Sequence, residues 1–292
     1  MGGLGNQLFQ IFATISCAIK NKQPFKFMDS KEITIGFTKR YTFWDTFLIN
    51  LKTFLIKEMP TSINAINEKD FLYNEINIEE FNGKDVIICG YFQSYKYFQD
   101  NFQTICKLIG LNKLKENLLV KLNSLNSLNS LNSLNSLNSV SDNSLLDKTI
   151  SMHFRLGDYK NFPDHHPILS YEYYKKALNT IKNIYPNTKF TIYYFCEDQD
   201  IKDVLEKINK LKKKFKEFIF IRGENKLDDW EQLLFMSCCH HNIIANSTFS
   251  WWAAYFNNNT DKIVCYPSVW FGPVIKNDTS DLFPPDWVRI NL

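Results

Sequence analysis

The sequence contains no run of about 18 or more apolar residues, so a membrane-crossing helix is not expected. It carries little net charge, since 34 Lys and Arg stand against 31 Asp and Glu and leave +3. Without the clustering of basic residues on one face that phosphate-backbone binding needs, that balance argues against a nucleic-acid-binding surface. The first residues, Met1-Gly2-Gly3-Leu4-Gly5-Asn6-Gln7, lack the basic and apolar regions of a signal peptide. There is no disulfide framework either. Cys17, Cys89, Cys106, Cys196, Cys238, Cys239 and Cys265 are odd in number and irregular in spacing. The expectation is free thiols in a reducing compartment, hence a cytoplasmic protein. The sequons at Asn246, Asn258 and Asn277 then carry no glycan. No Gly-x-Gly-x-x-Gly follows a strand pattern, which disfavours a nicotinamide dehydrogenase. What is present is 45% apolar residues in 292, enough for two domains or one large one.

One segment stands apart. Residues 122–139 are six tandem Leu-Asn-Ser units. On an α-helix, leucines three apart drift by about 60° per unit, so the apolar position circles the cylinder without forming a stripe. On a strand the same period sends successive leucines to opposite faces. The reading is a flexible low-complexity linker over residues 120–147, with a short helical hairpin as the alternative. It separates an N-terminal domain, residues 1–119, from a C-terminal domain, residues 148–292.

In the first half, residues 11–19 and 95–108 read as helices, and 23–28 and 86–89 as strands. The second half alternates more clearly. Strands are expected at 149–154, 190–196, 218–221, 243–245 and 262–266. Between them lie helical stripes: Tyr171, Tyr174, Leu178, Ile181 and Tyr185 after a Ser170 cap; Ile201, Val204, Leu205, Ile208 and Leu211; then residues 229–238 and 249–256. Such alternation predicts an α/β fold with a parallel, Rossmann-like sheet, whose ligands sit at the carboxyl ends of the strands.

Three segments carry chemistry. His153-Phe154-Arg155-Leu156-Gly157-Asp158-Tyr159 ends a strand. Arg155 is there placed either to grip a diphosphate with paired N–H donors or to pair with Asp158 across a turn. Asn246-Ser247-Thr248-Phe249-Ser250-Trp251-Trp252 joins a strand to a helix. Hydroxyls and free N–H groups at a helix start form an anion site, or they simply cap the helix. Gly2-Gly3-Leu4-Gly5-Asn6-Gln7 reads as a backbone-exposing loop before a helix. No strand precedes it, so the expectation is a truncated start or a shorter sheet.

Together these segments resemble glycosyltransferase family 11, the α-1,2-fucosyltransferases. The family's Gly-Gly-Leu-Gly-Asn-Gln opening matches residues 2–7. Its His-x-Arg-Arg-Gly-Asp-Tyr motif matches residues 153–159 except at Leu156, where the second Arg is missing. Its Asn-Ser-[Ser/Thr]-Phe-Ser-Trp-Trp motif matches residues 246–252 in full. Weaker similarity covers His166-Pro167-Ile168-Leu169-Ser170, Phe195-Cys196-Glu197-Asp198 and Phe283-Pro284-Pro285-Asp286-Trp287.

The resemblance implies a GT-B-like fold, two Rossmann-like domains facing a cleft. It implies inverting, metal-independent transfer of fucose from GDP-β-L-fucose to O2 of a terminal galactose in a glycan, with no cofactor. Arg155 would hold the diphosphate, with His153 and Asp158 completing that motif. Asn246, Ser247, Thr248, Phe249 and Ser250 would wrap phosphates and sugar, and Gly5, Asn6 and Gln7 would approach from the other domain. His166, Asp164 and Asp158 are the candidates for a general base. The acceptor-binding loops are expected from the first half. Two alternatives stay open: an inactive sugar-nucleotide-binding protein, or a fucosyltransferase of another linkage (α-1,6 or O-fucosyl).

Other signals have plainer readings. Asp198-Gln199-Asp200 spells a metal-transferase triplet but opens a helix, where acids complement the dipole. Cys238-Cys239-His240-His241 has zinc-type residues too close in sequence to converge on one ion. Asp228 and Asp229 suit a helix cap, or guanine recognition as the resemblance suggests. The lysines at 210–216 form a solvated helix end, with peripheral membrane attraction as the outside alternative.

Overall fold

The computed structural model of the chain describes residues 2–35, 38–81, 83–129, 146–224 and 226–292. They form two compact units, Met1–Asn112 with Asn277–Pro285, and Lys113–Lys276 with Asp286–Leu292.

In the first unit, helix α1 (Leu4–Lys20) buries Leu4, Leu8, Ile11, Phe12 and Ile15 along one helical stripe. Phe12 meets Phe98 edge-on at 5.6 Å, and Asn101 Nδ2 donates to Ser16 Oγ at 3.0 Å. The strands are short: β1 (Phe27–Met28), β2 (Glu32–Ile35), β3 (Thr38–Tyr41), β4 (Leu55–Ile56), β5 (Asn64–Asn67) and β6 (Val86–Cys89). They pair as β1 with β4, β2 with β3 and β5 with β6, in three separate two-stranded ladders. Among the described residues the first unit thus has no single doubly wound sheet, unlike the Rossmann-like domain expected there. Its apolar runs are only a few residues long and are cut by polar and proline stretches such as Asp29-Ser30-Lys31 and Lys57-Glu58-Met59-Pro60. The helix expected at 95–108 resolves into two 3₁₀ turns followed by α2 (Phe102–Ile109), which stops at left-handed Gly110, φ 71°.

Helix α3 (Leu111–Asn129) begins at the boundary between the units. It corrects part of the linker expectation, because residues 120–129 are helical. Leu111, Leu118 and Leu122 make one buried stripe, and Lys121 Nζ bonds both carboxylate oxygens of buried Glu231 at 2.7 Å. Upstream anchors therefore give the first Leu-Asn-Ser unit a packed face that the repeat alone lacks. Residues 130–145, the remainder of the repeat included, lie outside the described residues.

The second unit continues with β7 (Thr149–His153), α4 (Tyr171–Ile184), β8 (Thr191–Phe195), α5 (Ile201–Lys214), β9 (Ile219–Arg222) and α6 (Asp229–Cys238). It ends with β10 (His241–Ile243), α7 (Thr248–Tyr255), β11 (Val264–Pro267) and β12 (Val288–Ile290). All six strands are parallel, in the order β12-β11-β10-β7-β8-β9. The chain winds outward from β7 to β9, returns to place β10 beside β7, and winds outward the other way. That is the doubly wound Rossmann order, with its topological switch point between β7 and β10. Every residue of β7 is buried, as a central parallel strand covered on both faces requires. Lys212, Lys213 and Lys214 close α5, where cations complement the helix end. No helix among the described residues is long and apolar enough to cross a membrane.

Candidate functional site

Register builds the site. His241 pairs with Ile150 and Ile243 with Met152, so continuing β10 and β7 past the sheet brings Asn246 level with Arg155. On the other side His153 pairs with Phe195, and the same extension brings Glu197 level with Arg155. The two motifs of this unit therefore meet at the carboxyl edge of the sheet, at its switch point. They are tied together directly. Tyr159 Oη donates to the Asn246 carbonyl at 3.0 Å, and the rings of His153 and Phe249 lie 5.6 Å apart.

Arg155 is the centre of charge. Its Nη1 donates to Glu197 Oε1, its Nη2 to Asp158 Oδ1, and its guanidinium lies 5.0 Å from the Tyr159 ring centroid. Burial works against the charge, yet Asp158 and Glu197 outweigh it and hold the guanidinium above its ordinary range. Of the two readings of Arg155, the ion pair with Asp158 is the one the structure shows. Arg155 also stands at the switch point where anionic ligands of such sheets bind.

The turn itself is built for this. Gly157 has φ 41°, and a Cβ there would come 2.9 Å from Glu197 Oε1. The Gly157 N–H donates to buried Asp200 at 2.6 Å, and Lys160 bridges Asp200 and Asp203, both at 2.7 Å. Asp200 of the metal-like triplet is a structural anchor, while Asp198 pairs with Arg222. Leu156 is 3% exposed and belongs to the main apolar core, so the missing second Arg is replaced by a packing residue.

His153 is buried with its Nδ1 unpartnered, and burial followed by the nearby Arg155 charge lowers its pKa to about 3. It is a neutral imidazole at working pH. Asn246 is also buried. Its Nδ2 donates to the carbonyls of Pro167 at 2.9 Å and Trp270 at 3.2 Å, while its Oδ1 has no partner. A side chain so enclosed cannot accept a glycan, whatever its sequon suggests. Ser247 caps α7, its Oγ accepting from the Phe249 N–H at 3.4 Å. Ser250 Oγ donates to the Ser247 carbonyl at 3.3 Å and accepts from the Ala245 N–H at 3.2 Å. Ser250 and Asn246 thus brace the turn, and Thr248 and Phe249 are its half-exposed members. Lys115 and Lys262 donate to carbonyls at the other end of α7.

An open pocket of about 350 Å³ lies beside this cluster, lined by Asp158, Tyr159, Phe162, His165 and His166. His166 stacks on Tyr159 at 4.5 Å, and its pKa is lowered, chiefly by burial. Two of the candidate bases, Asp158 and His166, share this pocket, whereas Asp164 does not line it.

In the first unit Gly5, Asn6 and Gln7 are not a loop. Leu4 already starts α1, and Gly3 is its N-cap. A Cβ on Gly2, φ 77°, would strike Asn6 Nδ2 at 2.3 Å. Gln7 Nε2 donates to the Gly2 carbonyl at 3.0 Å and the Tyr41 carbonyl at 2.8 Å.

Two features escaped the sequence reading. Glu197 was visible only as part of a weak similarity, since its role comes from strand register. The second is the segment Gly90-Tyr91-Phe92-Gln93-Ser94 after β6. Phe92 is buried at φ 52°, an uncommon strain for a bulky residue. Glu68 accepts the Tyr91 and Phe92 N–H groups at 2.7 and 2.8 Å, and burial still raises its pKa. Gln93 Nε2 donates to Asn6 Oδ1 at 3.1 Å. A glycine closing the apolar run of β6, followed by Gln-Ser, was the available signal. His240 pairs with Asp261 at 3.0 Å, His241 stacks on Tyr185 at 5.2 Å, and the two imidazole rings lie 4.4 Å apart. Asp228 caps α6 in a capping box with Glu231. All seven cysteines are free thiols.

The second unit is thus a doubly wound parallel α/β sheet with an arginine-centred cluster at its switch point. The family model for glycosyl transferase family 11 matches residues 3–291, and the chain belongs to that family. Among curated proteins it is similar to the O-antigen biosynthesis glycosyltransferase WbnK of Escherichia coli, 27% identical over 99% of this chain and 98% of that one. It is also similar to an alpha-1,2-colitosyltransferase of Escherichia coli, 25% identical over 99% of this chain and 96% of that one.

Proposed function

We propose that the chain is an inverting, metal-independent fucosyltransferase, moving L-fucose from GDP-β-L-fucose to O2 of a terminal galactose in a glycan. The observation that carries this reading is Arg155, at the switch-point edge of the sheet and paired with the Asp158 and Glu197 carboxylates.

Breaking the bond from fucose C1 to the diphosphate puts negative charge on the leaving oxygens and cationic character on the sugar. A guanidinium has five N–H donors in a fork, more than the two that Glu197 and Asp158 engage, and on this reading the others turn to phosphate. The Ser247 and Thr248 hydroxyls and the first N–H groups of α7 add neutral donors on the same side. Charge developing on the leaving group is then met by fixed donors with little reorganisation. The acceptor hydroxyl attacks C1 from the opposite face, which inverts the centre, and passes its proton to a base; His166 and Asp158 are the pair in reach of one pocket. On this reading Gly5, Asn6 and Gln7 belong to the donor-binding set. The protein works in the cytoplasm, without cofactor.

The test is incubation with GDP-fucose and lactose in the presence of chelator, with the linkage of any product read by NMR. An α-1,2-fucosylated product, lost in Arg155→Ala, is the expected result. The colitosyltransferase relative motivates a parallel assay with the GDP derivative of that sugar. GDP binding without turnover of either donor would replace the reading with a sugar-nucleotide-binding protein, and a product of another linkage would replace its acceptor position.

A further inference from the structure

We propose that the pocket formed by Asp158, Tyr159, Phe162, His165 and His166 seats a neutral sugar ring. On the fucosyltransferase reading, on which this identification of the sugar rests, it is the terminal residue of the acceptor.

The size fits a small ligand: about 350 Å³ lies at the lower end of the range for small-molecule sites. The lining is mixed in a particular way. Tyr159 and His166 form a stacked pair, and Phe162 meets His165 edge-on at 6.3 Å. Phe162 is 57% exposed, an aromatic ring that the core does not use. Tyr159 already stacks on His166 and carries Arg155, so it is the exposed Phe162 ring that packs against the C–H side of a sugar, while imidazole nitrogens and the Asp158 carboxylate meet its hydroxyls. Two other ligand classes fit less well. The lining holds no Arg or Lys to fix a phosphate, and the polar groups of Asp158, Tyr159, His165 and His166 in a small pocket disfavour a lipid chain.

The frame around the pocket is preformed. The His165 and His166 N–H groups both donate to the Phe162 carbonyl, at 3.0 and 2.9 Å. The Gly272 N–H donates to the His165 carbonyl at 2.8 Å, and the Val274 N–H to the Asp164 carbonyl at 3.2 Å. Finally, the pocket shares a wall with the charged cluster, because Asp158 both lines it and pairs with Arg155. A sugar here sits beside the group assigned to the donor. This puts acceptor recognition in the second unit, although the sequence points to the first half.

The experiment uses the full chain and Phe162→Ala, with Ile219→Ala, an exposed change on β9, as control. Saturation-transfer NMR with methyl β-D-galactoside and lactose reads sugar binding without donor or turnover. Calorimetry with GDP reads the nucleotide site. The proposal expects a sugar signal in the wild-type chain and the control, and its loss in Phe162→Ala. It further expects an acceptor KM raised at least about tenfold, with GDP affinity unchanged. A sugar signal lost in Phe162→Ala, in a chain that turns over no GDP-fucose, supports the pocket and sinks the fucosyltransferase reading instead. No sugar signal in the wild-type chain, a signal unchanged in Phe162→Ala, or a parallel loss of GDP affinity would overturn the proposal.

Discussion

Leu156 separates what a motif spells from what a fold needs. The position next to Arg155 is 3% exposed and packed in the core, so this chain supports a single guanidinium at the turn. Leu156→Arg is therefore expected to destabilise by roughly 3 kcal/mol or more, since an unpaired charge would be buried. Urea denaturation checks this, and an unchanged midpoint would show that the side chain can reach solvent. The buried imidazoles make a second prediction. His153 has its pKa lowered to about 3 and His241 to about 4, burial being the main cause in both. Between those values and about 6.5, the ordinary histidine value, the unfolded chain binds protons that the folded chain refuses. Stability is then full above about pH 6.5 and falls as pH drops towards 4, by up to about 1.4 kcal/mol per pH unit for each histidine. Denaturation midpoints across that range should show the slope, and His241→Gln should flatten it. A flat profile in the wild-type chain would mean that neither imidazole resists protonation.

Among the elements, the loop from Phe162 to His166 is held by backbone bonds to the segment around Gly272. A Cβ on Gly272 would stand 2.2 Å from the Asp164 carbonyl oxygen, a backbone atom that cannot simply swing aside. Gly272→Ala is thus expected to displace the loop and raise the acceptor KM by about tenfold or more, with a smaller effect on GDP affinity. Equal losses in both would place the defect in the sheet edge rather than the loop. The elements also show how far the sequence could be read. The helices α4, α5, α6 and α7 and the strands β8 and β9 follow from the sequence pattern, whereas β10, His241–Ile243, begins two residues before the apolar run 243–245 expected for it. In the first unit β6 and part of β1 could be read from apolar runs, but β2 to β5 are runs of two to four residues, shorter than any usable period. Nor could the helical character of residues 120–129 be read from a repeat that drifts around the cylinder. It comes from Leu111, Leu118 and the Lys121–Glu231 pair, a long-range contact.

At the scale of the molecule, alternation of strands and helices points to a parallel sheet but not to its order. The decisive step is the return of β10 to the side of β7, which creates the switch point and brings residues 153–159 against residues 246–250. Both segments stand out in the sequence. Glu197 does not, because its place beside Arg155 is a consequence of register across two strands. The pocket was likewise hidden, apart from the suspicion attached to His166 and Asp158. The account as a whole rests on Arg155 carrying charge neutralisation at this edge. The most direct test is calorimetric titration of GDP into the wild-type chain and Arg155→Ala, each with and without EDTA. The account predicts that chelator leaves the wild-type affinity unchanged and that Arg155→Ala weakens it by about a hundredfold, roughly 2.7 kcal/mol. Binding abolished by chelator, or equal in the two proteins, would contradict it.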